Sequence, residues 1–356
     1  MTRDLRCTVS MPVADPPKTE YLFAIYGTSV RYITSSSHLA APVEELLRHF
    51  RRDALEEATP LTVRFHAVQD RAEIPLTLSP AARHLASGTD VAAEGRPEDD
   101  LPYVVSQDGG RLLIDFAEAG LFMIEGAYGR AEGYLLKPER MPTNLIEYLF
   151  HLTLVELLRR RELYTIHATA LEWQGRGILI PGNSGRGKTT SFISLLRAGY
   201  RYVSDDHPLI RDAGGHVELL PFPIKINVTE ETIAFFPELR HAPEHVLQRQ
   251  PGFHKRGFYA EELYRTEIGA CCRPAVVLFP KVVDAPQSHL ERLPKTRALQ
   301  LVLPQALLVY DQEVARREFH VWAKLVQQAD CYRLHFGRDL LDLPQLITPL
   351  LEQVHS

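Results

Sequence analysis

The sequence predicts an α/β fold that follows a β-rich α+β region, and three observations support this. Short apolar segments separated by turn residues fill the chain up to residue 142. Further along, a glycine-rich loop at residues 182–189 lies between an apolar strand and a helix. Two aspartates, Asp205 and Asp206, close the next strand. We therefore expect an N-terminal region of unknown role, residues 1–142, ahead of a catalytic domain, residues 143–356.

Composition places the chain among ordinary globular proteins. It has 356 residues, of which 45% are hydrophobic, and a formal net charge of -5 with no long basic run. Contact with nucleic acid or an anionic membrane is therefore not indicated. The N-terminus has no apolar core like that of a signal peptide, and no apolar run approaches the ~20 residues of a membrane helix. We expect a cytoplasmic protein, and the sequence leaves open whether it forms a homo-oligomer.

The first 142 residues show the patterns of a sheet with one helix. Expected strands are 21–26, 61–68, 103–106, 111–116 and 121–125. Glycines at 109 and 110 predict a hairpin between two of these strands. We expect a helix over 42–55 and a loop over 86–102, and we find no catalytic constellation in this region.

A longer helix is predicted over residues 143–161 and leads into the catalytic domain. Asn144 and Glu147 have the spacing of a capping pair, and three arginines suit the end of the helix dipole. Strands are then expected at 166–173, 177–180 and 201–204, with a helix over 188–197.

The loop at 182–189 reads Gly-Asn-Ser-Gly-Arg-Gly-Lys-Thr and fits the phosphate-binding pattern G-x-x-x-x-G-K-[ST] in full. Its glycines let backbone N–H groups face phosphate oxygens, and the helix N-terminus adds its dipole. Lys188 supplies charge for the β- and γ-phosphates, and the Thr189 hydroxyl completes a Mg²⁺ shell. The alternative is an accidental glycine-rich turn. The expected nucleotide-binding residues are Gly182, Asn183, Ser184, Gly185, Arg186, Gly187, Lys188, Thr189 and Thr190.

Asp205 and Asp206 should lie at the same edge of the sheet as this loop, because ligands of open α/β sheets bind beyond the carboxyl ends of the strands. One carboxylate can bind Mg²⁺ while the other accepts a proton from an attacking hydroxyl. The alternative is a surface turn. His167 lies on the strand expected over 166–173, one strand earlier than the strand that leads into the loop. Its spacing alone fits a structural role as well as a catalytic one.

Three segments resemble the catalytic core of HPr kinase/phosphorylase in order and spacing. They are His-Ala-Thr-Ala-Leu from His167, the phosphate-binding loop with its preceding strand, and Gly-Tyr-Arg-Tyr-Val-Ser-Asp-Asp ending at Asp206. The resemblance spans about residues 164–346 and weakens after its first third. It implies the P-loop fold shared with phosphoenolpyruvate carboxykinase, the cofactors ATP and Mg²⁺, and a catalytic His167. It also implies that Asp205 accepts the proton, while Thr189, Asp206 and Asp205 lie near the metal.

One departure from that family concerns the substrate. HPr kinases carry a glycine- and arginine-containing signature after the acidic pair, and residues 221–228, which begin Pro-Phe-Pro-Ile-Lys-Ile, occupy that region here. This segment is similar to that of divergent HPr-kinase-like proteins. HPr is therefore an unlikely acceptor, and a hydroxyl of another peptide, protein or small molecule is expected.

A charged, histidine-rich stretch over residues 241–266 is the candidate for substrate choice. A mobile segment could present Lys255 or Arg256 to the transferred phosphoryl group. The negative charge spread over the oxygen atoms of that group requires a cation, which either side chain would supply. Arg265 and Arg273 are second candidates, and a solvated loop explains the stretch equally well.

The sequence thus predicts a kinase with a hydroxyl acceptor. Two other functions remain: an ATPase that acts as a switch or assembly factor, and a binding module whose nucleotide is structural. The intact Lys188, Thr189 and aspartate pair disfavour the last.

Overall fold

The protein is described by a computed structural model over residues 19–90, 101–182, 187–243, 255–264, 266–306 and 310–352. This part of the chain has a mixed α/β fold, as the sequence predicts, with two large sheets and two small ones. No helix within these ranges is long and apolar enough to cross a membrane.

The first large sheet is formed by the N-terminal region. Its described strands are β1 Thr19–Ile25, β2 Thr28–Thr34, β3 Arg51–Arg52, β4 Leu61–Val68, β5 Arg83–Asp90, β6 Leu101–Asp108, β7 Arg111–Asp115, β8 Gly120–Glu125 and β9 Arg130–Leu136. They lie in the order β3-β1-β2-β4-β9-β8-β7-β6-β5. The five predicted strands and the hairpin between β6 and β7 are confirmed.

The predicted loop over 86–102 is wrong for the residues described, because β5 pairs antiparallel with β6. The strand was hard to recognise because β5 is the edge of the sheet and most of its side chains are exposed, so no apolar alternation marks it. Residues 91–100 lie outside the described part.

The predicted helix over 42–55 is displaced. Helix α1 spans Ser37–Leu46 and contains Pro42, and Leu39 and Val43 are buried on the sheet. The chain then forms a 3-10 turn, Arg48–Phe50, before β3 pairs with β1. Arg51 and Arg52 are therefore held by strand pairing, which a local helical pattern does not reveal.

Helix α2, Thr143–Leu158, confirms the next prediction and is followed by a 3-10 turn, Arg159–Arg161. The predicted capping pair is wrong: Pro142 occupies the N-cap position, and Glu147 instead lies 3.7 Å from the ammonium of Lys225. The apolar face of α2 packs in one core with the first sheet. Because that core also includes Leu209 and Phe222, the domain boundary at 142/143 stays a prediction.

The rest of the chain forms the other sheets. Its described strands are β10 Tyr164–Thr165, β11 Ala168–Trp173, β12 Arg176–Pro181, β13 Arg201–Ser204, β14 Leu209–Asp212, β15 Val217–Leu220, β16 Ile226–Thr229, β17 Lys255–Phe258, β18 Arg273–Val282, β19 His289–Arg292 and β20 Asp330–Phe336. Its described helices are α3 Lys188–Arg197, α4 Glu230–Phe235, α5 Ala260–Tyr264, α6 Lys295–Val302, α7 Gln312–Gln328 and α8 Leu343–Glu352.

The second large sheet has the order β13-β11-β12-β18-β20-β19 in the described residues. Two apolar cores cover its faces: α3 and α8 pack on one, and α6 and α7 on the other. Strand β11 is antiparallel to both β12 and β13, whereas β18 is parallel to β12 and β20 is parallel to β18. The carboxyl ends of β12, β13, β18 and β20 therefore share one edge of the sheet with the start of β11.

Two predictions near that edge need correction. The strand expected over 166–173 is interrupted at His167, because β10 pairs with β14 in a separate sheet and β11 begins only at Ala168. The stretch expected to be a mobile segment or a solvated loop contains a strand: β17 pairs antiparallel with β16, with Lys255 opposite Thr229.

Candidate functional site

Three chain segments meet at the shared edge of the second large sheet. The backbone N–H of Gly182, just after β12, donates to the carbonyl of His167 over 3.5 Å. The N–H of Ala168, which begins β11, donates to the carbonyl of Asp206 over 3.0 Å. These bonds place the start of the glycine-rich loop, His167 and the aspartate pair next to one another.

The end of the glycine-rich loop is shaped by Gly187. Its φ of 91° lies in the left-handed region, and a Cβ here would come 3.0 Å from the ring of Phe336. Both features favour glycine. Helix α3 begins at the next residue, so its free N–H groups and the half-buried Thr189 and Thr190 lie at the sheet edge. Asn183, Ser184, Gly185 and Arg186 lie outside the described residues.

Lys188 lies between His167 and Asp206. Its ammonium is 2.7 Å from Nε2 of His167 and 3.3 Å from Oδ1 of Asp206, and its side chain is only 6% exposed. Nε2 of His167 is also 3.3 Å from Oδ1 of Asp206, so the three side chains contact one another.

Asp206 has an unusual backbone and an ionised side chain. Its φ of 77° is uncommon for a residue with a side chain, and such outliers concentrate at functional sites. Burial alone would raise the pKa of its carboxyl, but the contacts with His167 and Lys188 hold that pKa well below the ordinary value. With 38% of its side chain exposed, Asp206 can meet a ligand.

Asp205 is more deeply buried than Asp206, and its carboxyl has a different pKa. The Thr169 hydroxyl donates to Oδ1 over 3.0 Å, and the backbone N–H of Asp205 donates to the hydroxyl of Tyr202 over 3.1 Å. Only 3% of the residue is exposed. Burial, with the neighbouring charge of Asp206, raises the pKa of Asp205 to about 7 against the opposing effect of Lys188. The pair therefore combines one ionised carboxylate and one that titrates near neutral pH.

Two histidines beside the site were missed by sequence reasoning. The ring of His207 is 6.1 Å from that of His167 and 4.4 Å from that of His151, which lies on α2. Burial lowers the pKa of His207 to about 4 and that of His151 well below its usual range, so both are neutral at pH 7. His207 could have been found because it follows the aspartate pair directly. His151 carries no local signal.

The candidate cations on β17 are placed differently from each other. The charge of Lys255 acts to lower the pKa of the Asp205 carboxyl. The guanidinium of Arg256 lies 5.3 Å from the ring centroid of Phe258. Arg273 begins β18 at the opposite edge of the sheet, beside Arg176, where it cannot reach the aspartates. Arg265 lies outside the described residues.

Oxygen atoms that suit a metal lie at the sheet edge. No group of three or more His, Cys, Asp or Glu side chains suited to a metal occurs within the described ranges. Asp206 and Thr189 do offer oxygen atoms at the edge, and Mg²⁺ prefers oxygen ligands and usually keeps several waters and phosphate oxygens. The residues present therefore fit a metal that arrives with phosphate groups.

The described fold and edge define a mixed α/β protein with a lysine, a histidine and two aspartates gathered at the N-terminus of a helix. No protein-family model matches the chain. The HPr kinase/phosphorylase of Caldanaerobacter subterraneus subsp. tengcongensis is 33% identical over 81 residues, which are 23% of this chain and 26% of that protein. The chain thus has a partial, distant relationship to HPr kinase/phosphorylase, and the match spans about a quarter of that relative's length.

A solved structure, the Hpr(Ser) kinase/phosphatase from Coxiella burnetii, matches with 13% sequence identity. The match covers 52% of this chain and 93% of that one, with a TM-score of 0.26. A TM-score of this size does not establish a shared fold.

Proposed function

We propose that the protein is an ATP-dependent kinase that transfers a phosphoryl group to a hydroxyl acceptor, and that residues 143–356 form a P-loop domain of the HPr kinase/phosphoenolpyruvate carboxykinase type. The observation that carries the proposal is the contact of Lys188 with His167 and Asp206 at the N-terminus of α3. A buried ammonium beside free helix N–H groups suits the β- and γ-phosphates of a nucleotide.

The proposed role of each side chain follows from how deeply it is buried and from its charge. Bound ATP·Mg²⁺ supplies the phosphoryl group. The loop from Gly182 to Thr190 and Lys188 hold its phosphates, and Thr189 with Asp206 provides metal ligands. Asp205 takes the proton of the acceptor hydroxyl, because its pKa of about 7 matches what a general base needs at neutral pH. His167 orients Lys188 through the bond of 2.7 Å.

A cation is also needed to stabilise the negative charge that spreads over the oxygen atoms of the transferred phosphoryl group. Lys255 is the better candidate, because its charge reaches Asp205 while Arg256 lies on the ring of Phe258. The relatives named above act on HPr according to their names. The segment of residues 221–228 here differs from the family pattern, so we propose another hydroxyl compound as acceptor.

The proposal is tested by following the γ-phosphoryl group. Purified protein is incubated with Mg²⁺ and γ-labelled ATP, together with a panel of serine and threonine peptides and small polyols. A labelled phosphate ester that is absent with Lys188→Ala is expected. If label appears only as inorganic phosphate with every acceptor, the protein is an ATPase and the kinase proposal is wrong.

A further inference from the structure

Val282 is an apolar side chain that stands 59% exposed at the carboxyl end of β18, beside the glycine-rich loop. A Cβ on Gly187 would lie 3.5 Å from a methyl carbon of Val282 and 3.0 Å from the ring of Phe336. Val282 and Phe336 are register partners at the ends of the parallel strands β18 and β20. They therefore form one apolar surface against the end of the loop, which we call the apolar shelf. Because Phe336 is buried, Val282 is the part of the shelf that a ligand can contact.

The chain segments that follow β18 and β20 are bonded to each other beyond the shelf. The backbone N–H of Val283 donates to the carbonyl of Phe336 over 3.0 Å. The N–H and the hydroxyl of Ser288 both donate to the carboxylate of Asp339, over 2.8 and 2.5 Å. These bonds hold the chain on both sides of the shelf, so a ligand would meet a surface that is already formed.

The strand order places the shelf on one side of the glycine-rich loop and the aspartate pair on the other. The described order is β13-β11-β12-β18-β20 through this part of the sheet. The loop follows β12, Asp205 follows β13, and Val282 ends β18. A ligand that lies across the loop can therefore contact the aspartates at one end and the shelf at the other.

The side chain of Lys188 indicates the direction in which a bound nucleotide would run. Its ammonium lies on the aspartate side of the loop, 2.7 Å from Nε2 of His167 and 3.3 Å from Oδ1 of Asp206. In P-loop proteins the lysine of this motif reaches the β- and γ-phosphates. The γ-phosphoryl group must also come close to the proposed base, Asp205. The α-phosphate and the nucleoside attached to it would then lie on the opposite side of the loop, at the shelf.

The chemistry of the shelf suits a nucleobase and does not suit phosphate. A base is flat and presents an uncharged face, whereas phosphate oxygens require cations and N–H groups. Covering an exposed aliphatic side chain with such a face removes apolar surface of both groups from water, which is favourable. Sites for small ligands commonly combine an apolar wall of this kind with a few polar groups that fix the orientation of the ligand.

We propose that the apolar shelf is the nucleoside subsite of this protein and that Val282 contacts the base of the nucleotide. The inference rests on the proposed kinase function, because it requires a nucleotide whose phosphates lie on the glycine-rich loop. It assigns the base to one side of that loop and to a residue outside the phosphate-binding motif.

The subsite is tested by separating the contribution of the nucleoside from that of the phosphates. Calorimetry in the presence of Mg²⁺ compares ATP with tripolyphosphate, which carries three phosphate groups and no nucleoside. Val282→Ser removes the apolar contact without adding a charge beside the phosphates. It should weaken ATP binding by about three- to tenfold, the size of a partly buried aliphatic contact, and leave tripolyphosphate binding within about twofold.

The matched control is Val104→Ser. Val104 is likewise an exposed valine on a strand, with 43% of its surface accessible, but it lies on β6 of the first sheet. This substitution should leave the binding of both ligands within about twofold, as is usual for a surface change away from a site. Unchanged ATP binding in Val282→Ser, or an equal loss for ATP and tripolyphosphate, would overturn the assignment.

Photo-crosslinking locates the base without any substitution. The natural chain is irradiated with 8-azido-ATP and Mg²⁺, and the labelled peptides are identified by mass spectrometry. We expect label within residues 281–288 or 336–342 that is prevented by excess ATP. Label confined to another part of the chain, such as β16 and β17, would place the base elsewhere and rule out the shelf.

The proposed kinase function fails in a different way. If neither ATP nor tripolyphosphate binds the natural chain, the phosphate site is wrong, and the nucleoside subsite is wrong with it. If the label falls on the shelf and ATP binds as expected, but no acceptor is phosphorylated, the subsite is supported and only the transfer reaction is wrong.

Discussion

Two groups of charges are buried in this protein, and they differ in what surrounds them. The edge cluster consists of Lys188, His167, Asp205 and Asp206. The junction cluster consists of Arg159, Glu156 and Glu318, where the end of α2 meets α7. Arg159 is fully buried, pairs with Glu156 and lies 3.4 Å from Glu318.

Burial of charge therefore does not mark a functional site by itself. Both clusters contain a carboxyl whose pKa burial raises to about 7, Asp205 in one and Glu318 in the other. The edge cluster also has a helix N-terminus, strand ends and an aspartate in the left-handed region. The junction cluster lies between the carboxyl end of α2 and the side of α7, without a helix N-terminus or a strand end, so we interpret it as a structural link between α2 and α7.

The largest effect should come from removing the proposed base, Asp205, in the edge cluster. Asp205→Asn keeps the shape but cannot accept a proton, so phosphoryl transfer should fall by about 10²–10⁴-fold while ATP·Mg²⁺ still binds. Asp206→Asn should instead weaken the apparent affinity for Mg²⁺, so that more metal partly restores the rate. Single-turnover transfer against Mg²⁺ concentration measures both. If metal rescues Asp205→Asn and not Asp206→Asn, the two roles are reversed.

The junction cluster should show the opposite behaviour. Arg159→Met leaves Glu318 buried without its cation. It leaves Glu156 with only Arg160 at 3.8 Å, and the free energy of unfolding should fall by about 3–5 kcal/mol. ATP affinity of the folded fraction should not change. Urea titration followed by circular dichroism gives the stability. The control is Arg161→Met, because Arg161 is 37% exposed and pairs with Glu57 at the surface, so it should cost less than about 1 kcal/mol.

A smaller effect is expected on the pH dependence of the free energy of unfolding. The carboxyl of Asp205 ionises near pH 4 in the unfolded chain and near 7 in the folded one. Through Asp205 the folded state binds more protons between these values, so this residue contributes stability that is lost as pH rises from about 4 to 7. Asp205→Asn should remove this contribution to the slope of the free energy of unfolding against pH. Other pH dependence should remain, because Glu318 and Glu147 are shifted in the same direction, while the lowered pKa values of His151 and His207 act in the opposite direction. The measurement is the free energy of unfolding of the natural chain and of Asp205→Asn at pH 5, 6, 7 and 8. The same slope in both chains would contradict the raised pKa of Asp205.

Local sequence patterns predicted the elements that carry the edge cluster. The glycine-rich loop has a complete motif, and the structure confirms helix α3 and strand β13 where they were expected. Thr169 could also have been found, since on the strand predicted over 166–173 it would lie on the same face as His167. The roles assigned to these residues stay predictions.

Interactions between distant residues could not be predicted in this way. His151 reaches His207 only because α2 packs against the loop after β13, and Lys225 meets Glu45 and Glu147 across the core. The edge strand β5 lacks an apolar face, and the strand β17 is held by β16 although its own sequence is charged. In each case the partner element supplies what the local sequence does not.

Calorimetric titration of ATP with Mg²⁺ into the natural chain, Lys188→Ala and Arg159→Met tests the central claim most directly. We predict one nucleotide site per chain, with most of the affinity lost in Lys188→Ala and retained in Arg159→Met, because the proposed function assigns phosphate contact to the edge cluster and not to the junction cluster. Unchanged affinity in Lys188→Ala, or no binding to the natural chain, would contradict the claim that this edge is a nucleotide site.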